Sequence, residues 1–452
     1  MSAAKRENFG SSLTFILAMA GSAIGLGNIW RFPYMVGEHG GAAFIIAYVI
    51  CSFFIAVPCF VCEAVIGRRG RSAVYGSLKA LAPGSGWKFL GLLSVLTCFV
   101  IISYYCVVGG WSLDFLVRSI TGKLAPGRPD DAVAIFGHMA ASPVESISMH
   151  LCFLAATTII VIRGIKNGIE SFSKITTPLL FVLMIAMVIF SVSLPGASEG
   201  VKYLCRPDFS KLGPDGWASA LGQAFYSMSL GVGTVLIYSS FMKKNDSILG
   251  SGIWTSVSDT GFALIAGFAI MPAVFAAGIE PGAGPSLVYE TLPYIFAKMG
   301  MESPVLAYLV TAIFFLAILM AALSSSISIL DVCVEHVVEQ YHCKRWQAGL
   351  LFFVLAAGLG ILCALSFGPD PVKLFGKAIF DICDYACSNV LMMIGALGFT
   401  LFVGWKMKKP EVRDEITNGG TLRISGKLFG VLYFLIRWII PLVILFIFIT
   451  SL

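Results

Sequence analysis

Charged side chains are scarce in this chain: Asp, Glu, Lys and Arg together make up only 12% of 452 residues. A soluble domain of this length needs far more charge to cover its surface. Histidine is rarer still, with five, and no His/Cys group stands at metal-ligand spacing. The nearest approach is Cys59-x-x-Cys62, inside an apolar run with no further ligand beside it. Other cysteines, including Cys51, Cys98, Cys106 and Cys152, also lie in apolar runs. That suits small packing residues and argues against a secreted disulfide framework. No nucleophile–base pair emerges, so an enzyme has little support. The net charge of +6 implies no nucleic-acid partner, because the basic residues collect in short loops.

What the chain has in abundance is apolar sequence, with 58% hydrophobic residues and a mean hydropathy of +0.88. Runs long enough to cross about 30 Å of hydrocarbon recur throughout. Eleven spans are predicted, at residues 10–37, 41–66, 87–118, 145–163, 171–194, 217–241, 248–277, 303–339, 346–366, 373–404 and 427–451. Arg68, Arg69, Arg71, Lys79 and Lys88 follow the second span, and Arg163 and Lys166 the fourth. Lys243 and Lys244, Lys344 and Arg345, and the cluster Lys406, Lys408, Lys409 and Arg413 follow the sixth, eighth and tenth. All fall on the side of Lys5 and Arg6, so the positive-inside rule places the N-terminus in the cytoplasm. An odd count then leaves Leu452 outside. Lys5 and Arg6 before an apolar stretch ending Ala18-Met-Ala20 also resemble a signal peptide. The stretch runs on into further apolar sequence, which favours an uncleaved span.

Two spans are interrupted alike. The first contains Gly21-Ser-Ala-Ile-Gly25-Leu-Gly27-Asn28, the sixth Ser227-Met-Ser229-Leu-Gly231-Val-Gly233-Thr234. Irregular backbone at mid-membrane is tolerated only where it is buried in protein or lines a cavity. Its freed carbonyls can bind cations, and freed amides at a half-helix N-terminus an anion. The alternative is that the glycines merely let helices pack closely. Two matched clusters carrying Asn28, Ser227 and Ser229 favour a binding site. Their spacing, five spans apart, suggests a 5+5 repeat, with 10–194 as the first unit and 217–404 as the second. A third cluster, Ser324-Ser325-Ser326, can offer hydroxyls to a cation or bond back to its own helix.

The stretch A-G-S-A-I-G-L-G-N-I-W-R-F-P at 20–33 resembles the first-helix signature of the neurotransmitter:sodium symporter family. G-Q-A-F-Y-S-M-S-L-G-V-G (222–233), A-A-L-S-S-S-I-S (321–328), Y-Y-C-V-V-G-G-W (104–111) and F-D-I-C-D-Y (380–385) match further motifs in order. The resemblance implies an all-α polytopic membrane protein of the 5+5 inverted-repeat, leucine-transporter-like fold, forming one transporter domain over 1–452. Helices one and six would be unwound mid-membrane. Eleven spans resemble several bacterial members; many relatives have twelve. The implied function is sodium-coupled symport of an amino acid into the cell across the inner membrane, with no obligate protein partner.

The resemblance also implies two Na⁺ sites. The first would use the Ala23 carbonyl, Asn28, Ser227, Asp259 and the substrate carboxylate. The second would use carbonyls of Gly21, Ile24 and Ala321 with the hydroxyls of Ser324 and Ser325. These are hard oxygen donors, as a hard cation requires. The substrate carboxylate would meet the Gly25 and Gly27 amides and the Tyr105 hydroxyl. Ile101, Tyr226, Ser229, Val232 and Ile329 would line the side-chain pocket. Monoamine carriers of the family have Asp where this chain has Gly25, so an amino acid is favoured, and the apolar lining favours a hydrophobic or aromatic one. Arg31 with Asp384 would form an outer gate, and Arg6 with Glu339 an inner one; the alternative is that these charges snorkel at the interface. Phe9 and Phe241 stand where relatives often have Trp and Tyr. Chloride-dependent members have Asn and Ser where this chain has Asp259 and Ala263, although Tyr48 and Gln223 still match the chloride site. Transport is therefore expected to need no chloride. A sodium-independent exchanger and an amino-acid sensor on the same fold are the rival readings; the intact sodium ligands argue against both.

Overall fold

A computed structural model describes residues 8–124, 128–278, 287–299, 301–368 and 371–450. Nine helices among these are long and apolar enough to span a membrane. They are α3 (Ala42–Gly70), α4 (Lys88–Ile120), α5 (Pro143–Ile162), α6 (Ile165–Ser193), α9 (Ile248–Ala276), α10 (Pro304–Tyr341), α11 (Arg345–Phe367), α12 (Ile379–Lys406) and α13 (Gly426–Ile449). A tenth span is broken: α1 (Ser12–Ala23) meets α2 (Gly27–Glu38) at a 55° bend. Residues 213–240 form two shorter helices, α7 (Gly213–Ser227) and α8 (Thr234–Ser240).

Local chemistry sets the helix ends. Ser11 caps α1 by accepting from Thr14 N at 3.2 Å, and Ser247 caps α9 through Gly250 N at 3.0 Å. Each satisfies an amide that the first helical turn leaves orphaned. The apolar surface divides in two. Phe15, Phe44, Phe60 and Trp111 are buried between helices, whereas Phe54, Ile189, Val354 and Phe446 face outward, where hydrocarbon covers them at no cost.

The tenth predicted span starts later than expected. Lys373–Leu374 pairs antiparallel with Lys377–Ala378, and α12 begins at Ile379. Phe375 and Gly376, at φ 52° and 78°, make the two-residue turn whose twist matches paired strands. The expected connecting loops also hold short helices, Val74–Leu81, Pro129–Ala141, Ala197–Cys205, Leu292–Met299 and Lys409–Thr417.

Both breaks face the interior. Ile24 leaves the helix with extended ψ of 100°, and a π turn over Gly27–Arg31 opens α2. In the other break Ser229, Gly231 and Gly233 all have positive φ. A Cβ on Gly231 would lie 2.1 Å from Met392 O, so only glycine lets this turn rest on the backbone of α12.

Candidate functional site

The first break ends α1 early, and its carbonyls turn toward α10. Ser325 donates its hydroxyl to Ser22 O at 3.0 Å and Ile24 O at 3.4 Å. Ser324 reaches Ile24 O at 3.3 Å and its own helix at Ala321 O, 2.9 Å. The serine run thus does both things its chemistry allows. Gly21 belongs to the same knot, since a Cβ there would lie 2.8 Å from Thr177 Oγ1 and 3.6 Å from Ser324 Cβ. Gly21, Ile24, Ala321, Ser324 and Ser325 are therefore neighbours, with Ser22 and Thr177 added to the set. All the donor atoms are neutral oxygens, which fits Na⁺.

A second knot joins four helices. Ser227, last residue of α7, donates to Asp259 Oδ1 on α9 at 2.6 Å and to Asn28 Oδ1 on α2 at 3.2 Å. Asn28 Nδ2 donates to Asp259 Oδ1 at 2.8 Å, and Tyr48 donates to Asp259 Oδ2 at 2.8 Å. Asn28 and Asp259 are fully buried. A carboxylate at membrane depth is costly unless paired or ligating, and here three donors hold it among oxygens that suit a hard cation. Ala263, one turn along α9, offers no hydroxyl.

Between the knots lies a central cavity of ≈ 40 Å³. Gly25, Gly27, Ile101 and Tyr105 line it, as do Tyr226, Ser229, Val232 and Ile329; Ala23, Asn28 and Ser227 border it. Every residue expected at the substrate is therefore on one surface, next to the expected first-sodium ligands. Tyr105 Oη is buried without a hydrogen-bond partner, which leaves a donor for an anionic group. The Gly25 amide, expected to hold the substrate, donates instead to Asn28 Oδ1 at 3.2 Å. A Cβ at Gly25 would lie 2.6 Å from Ser325 Oγ and 3.4 Å from Tyr105 Oη, so any larger residue would press on both.

Comparison with known proteins decides the family. The model of the sodium:neurotransmitter symporter family matches residues 6–135 and 139–452. The chain belongs to that family. It is 38% identical over 456 residues to an uncharacterized sodium-dependent transporter, YhdH, of Bacillus subtilis, covering 100% of this chain and 98% of the relative. An uncharacterized sodium-dependent transporter of Methanocaldococcus jannaschii is 32% identical over 94% of this chain and 87% of its own length. The crystal structure of MhsT in complex with L-phenylalanine superposes with a TM-score of 0.89 at 39% identity, over 99% of this chain and 100% of that one. The fold is that of these symporters, and the protein is a multi-pass sodium-dependent membrane transporter and not an enzyme.

The two residues expected to form the outer gate are apart. Arg31 lies over the Tyr226 ring, 5.4 Å from its centroid, while Asp384 accepts from Ser388 Oγ at 3.3 Å. Among the described residues no ion pair joins them; both line an outer cavity of ≈ 370 Å³ above the central one. Such a pair is expected to form on closure, and here each residue lines the cavity instead. At the opposite end Arg6 lies outside the described residues. Its expected partner Glu339 accepts from Ser72 Oγ at 2.5 Å and Ala73 N at 2.6 Å. Phe9 still fastens the start of the chain to the end of α8, through Phe9 N to Phe241 O at 3.2 Å.

Besides Ser22 and Thr177, two further residues of this symporter's centre escaped sequence reasoning. Glu63, buried in α3, accepts from Gly231 N at 2.7 Å and so holds the turn between α7 and α8. Its signal was available, a lone carboxylate within an apolar span. Met392 lines the central cavity, and nothing in its local sequence marks it.

Proposed function

We propose that this symporter imports hydrophobic or aromatic L-amino acids, driven by Na⁺ at two sites and without chloride. The observation that carries the proposal is that Ser227 Oγ lies 3.2 Å from Asn28 Oδ1 and 2.6 Å from Asp259 Oδ1, with Asn28 and Ser227 on the border of an apolar cavity. Na⁺ bound there neutralises the Asp259 carboxylate and sits beside the incoming substrate carboxylate. Ion and amino acid then favour each other's binding reciprocally. The Ser324–Ser325 knot with Ile24 O supplies a second set of oxygens across the moving α1–α10 contact. Ile101, Val232 and Ile329 give the side chain an apolar surface, and burial of apolar area contributes about 25 cal/mol per Å².

In this reading residues 213–240 are a broken sixth span, which brings the total to eleven. The first repeat is 10–194, the second 217–404, and 427–451 follows them. The N-terminus lies in the cytoplasm and the C-terminus outside, in the cell membrane. Alternating access consists of Arg31 and Asp384 closing over the substrate while the Glu339 end opens. L-phenylalanine, bound by the MhsT structure, is the first candidate.

The test is uptake of a mixture of labelled amino acids into proteoliposomes. A hydrophobic or aromatic amino acid should accumulate with an inward Na⁺ gradient and not with K⁺. Equal accumulation in Na⁺ and choline would overturn the proposal.

A further inference from the structure

Away from the central cavity, Arg437 of α13 lies against two tryptophans. Its guanidinium carbon is 4.7 Å from the Trp405 ring centroid and 5.7 Å from that of Trp438. The two indoles meet edge to face at 4.6 Å, and Trp405 Nε1 donates to Arg437 O at 2.9 Å. Gly404 makes the approach possible, because a Cβ there would lie 3.0 Å from Arg437 Cα. Arg437 Nε is buried and without a hydrogen-bond partner. No ion pair involves Arg437 among the described residues.

An arginine in apolar surroundings without a counter-charge is costly, and two carboxylates of the segment joining α12 to α13 are already paired elsewhere. Glu415 pairs with Arg68 at 2.9 Å and Asp414 with Arg69 at 3.7 Å. Between Gly404 and Trp438 the chain carries seven Lys or Arg and three Asp or Glu, so this corner has cations to spare. Beyond Arg437 the outer face of α13 is apolar: Phe434 is 54% exposed, Trp438 45% and Leu442 62%. These residues are spaced four apart, which aligns them on one helix face.

We propose that Arg437, framed by Trp405 and Trp438, binds the phosphate of an anionic phospholipid whose acyl chain lies along Phe434, Trp438 and Leu442. The guanidinium fork suits a phosphate, which accepts two parallel N–H bonds. Trp405 stands one residue from the end of α12, where aromatic belts meet headgroups, and basic pockets between spans are recognised headgroup sites. The apolar stripe selects a lipid over a free anion, because only an acyl chain can cover it.

The experiment is native mass spectrometry of the delipidated protein titrated with phosphatidylglycerol, phosphatidylcholine or inorganic phosphate. Native protein should hold one phosphatidylglycerol about tenfold more tightly than phosphatidylcholine, and Arg437→Gln should lose that preference. An unchanged preference in Arg437→Gln would overturn the site. Displacement of phosphatidylglycerol by millimolar inorganic phosphate would overturn the lipid assignment. Arg437→Gln melting and sodium-dependent substrate binding serve as fold controls. If that variant does not fold, brominated phosphatidylglycerol decides the matter in otherwise native protein. It should quench tryptophan emission more than brominated phosphatidylcholine does, and the excess should vanish in Trp405→Phe/Trp438→Phe. Persistence of the excess in that double variant, or its absence from native protein, counts against the site.

Discussion

Ser227 donates its hydroxyl to Asp259 across 2.6 Å, which ties the last turn of α7 to the middle of α9 at the point where the backbone of the sixth span comes apart. The bond joins a residue whose chain is about to unwind to one whose helix continues unbroken. Asn28, at the equivalent break, touches both. An ion held by these oxygens would contact both breaks at once.

The first prediction concerns that knot. Ser227→Ala removes one neutral oxygen and leaves the Asp259 charge in place. The Na⁺ concentration for half-maximal uptake should rise about tenfold, on the order of 1.4 kcal/mol, with a smaller loss at saturating Na⁺. K⁺ should not restore uptake. A sodium titration of transport in proteoliposomes measures both, and an unchanged half-maximal concentration would remove Ser227 from the site.

The separation of Arg31 and Asp384 leads to the second. Each lines the outer cavity without touching the other, so their attraction contributes only when the cavity closes. Arg31→Ala or Asp384→Ala should slow uptake severalfold, while equilibrium binding of substrate in detergent falls much less. Removing one partner leaves the other charge desolvated on closure, which costs a few kcal/mol, about 3–5 when fully buried. Normal uptake rates in both variants would refute the gate.

Glu63 provides the third. Its carboxylate accepts the Gly231 amide at 2.7 Å, at a glycine whose φ of 84° other residues resist. Glu63→Ala leaves that buried N–H without a partner, at about 1–3 kcal/mol, whereas Glu63→Gln retains an acceptor. Thermal melting should therefore rank native protein above Glu63→Gln, and both above Glu63→Ala. Equal melting of the two variants would mean that the hydrogen bond does not support the turn.

Much of this centre was legible because the membrane permits so few exceptions. A Gly25-Leu-Gly27-Asn28 run or a Ser324–Ser326 run is conspicuous when nearly every neighbour is apolar and helical. Apolar length likewise marked most of the spans, although the helices expected from 171 and 373 begin at Ile165 and Ile379. What the chain did not disclose depends on contacts between distant segments. Glu63 meets Gly231 across 168 positions, and Met392 joins the cavity only because α12 packs against the second break. The separation of Arg31 and Asp384 depends on how α2 and α12 sit around the cavity and not on either residue alone. The short hairpin before α12 was hidden for a simpler reason. Its turn depends on the φ angles of Phe375 and Gly376, and Phe in the left-handed region is not what a sequence pattern suggests.

The last prediction addresses chloride. Asp259 Oδ2 accepts from Tyr48 at 2.8 Å, so the Tyr48 hydroxyl is directed at a fixed negative charge. Ala263, one turn away, has no donor for an anion, and it is fully buried. An anion placed beside Asp259 would meet Coulomb repulsion in a medium where charges are poorly screened. In the proposed mechanism the carboxylate supplies the negative charge that balances Na⁺, so replacing chloride with gluconate should leave native uptake unchanged. Asp259→Asn should lower uptake sharply, because the knot keeps its oxygen but loses its charge. In Asp259→Asn/Ala263→Ser a hydroxyl and a neutral amide stand where an anion can enter, with Tyr48 and Gln223 beside them, and chloride should restore part of the lost uptake. Chloride dependence of the native protein would defeat the argument. Recovery in the double variant that is independent of chloride would show that Asp259 contributes geometry and not charge.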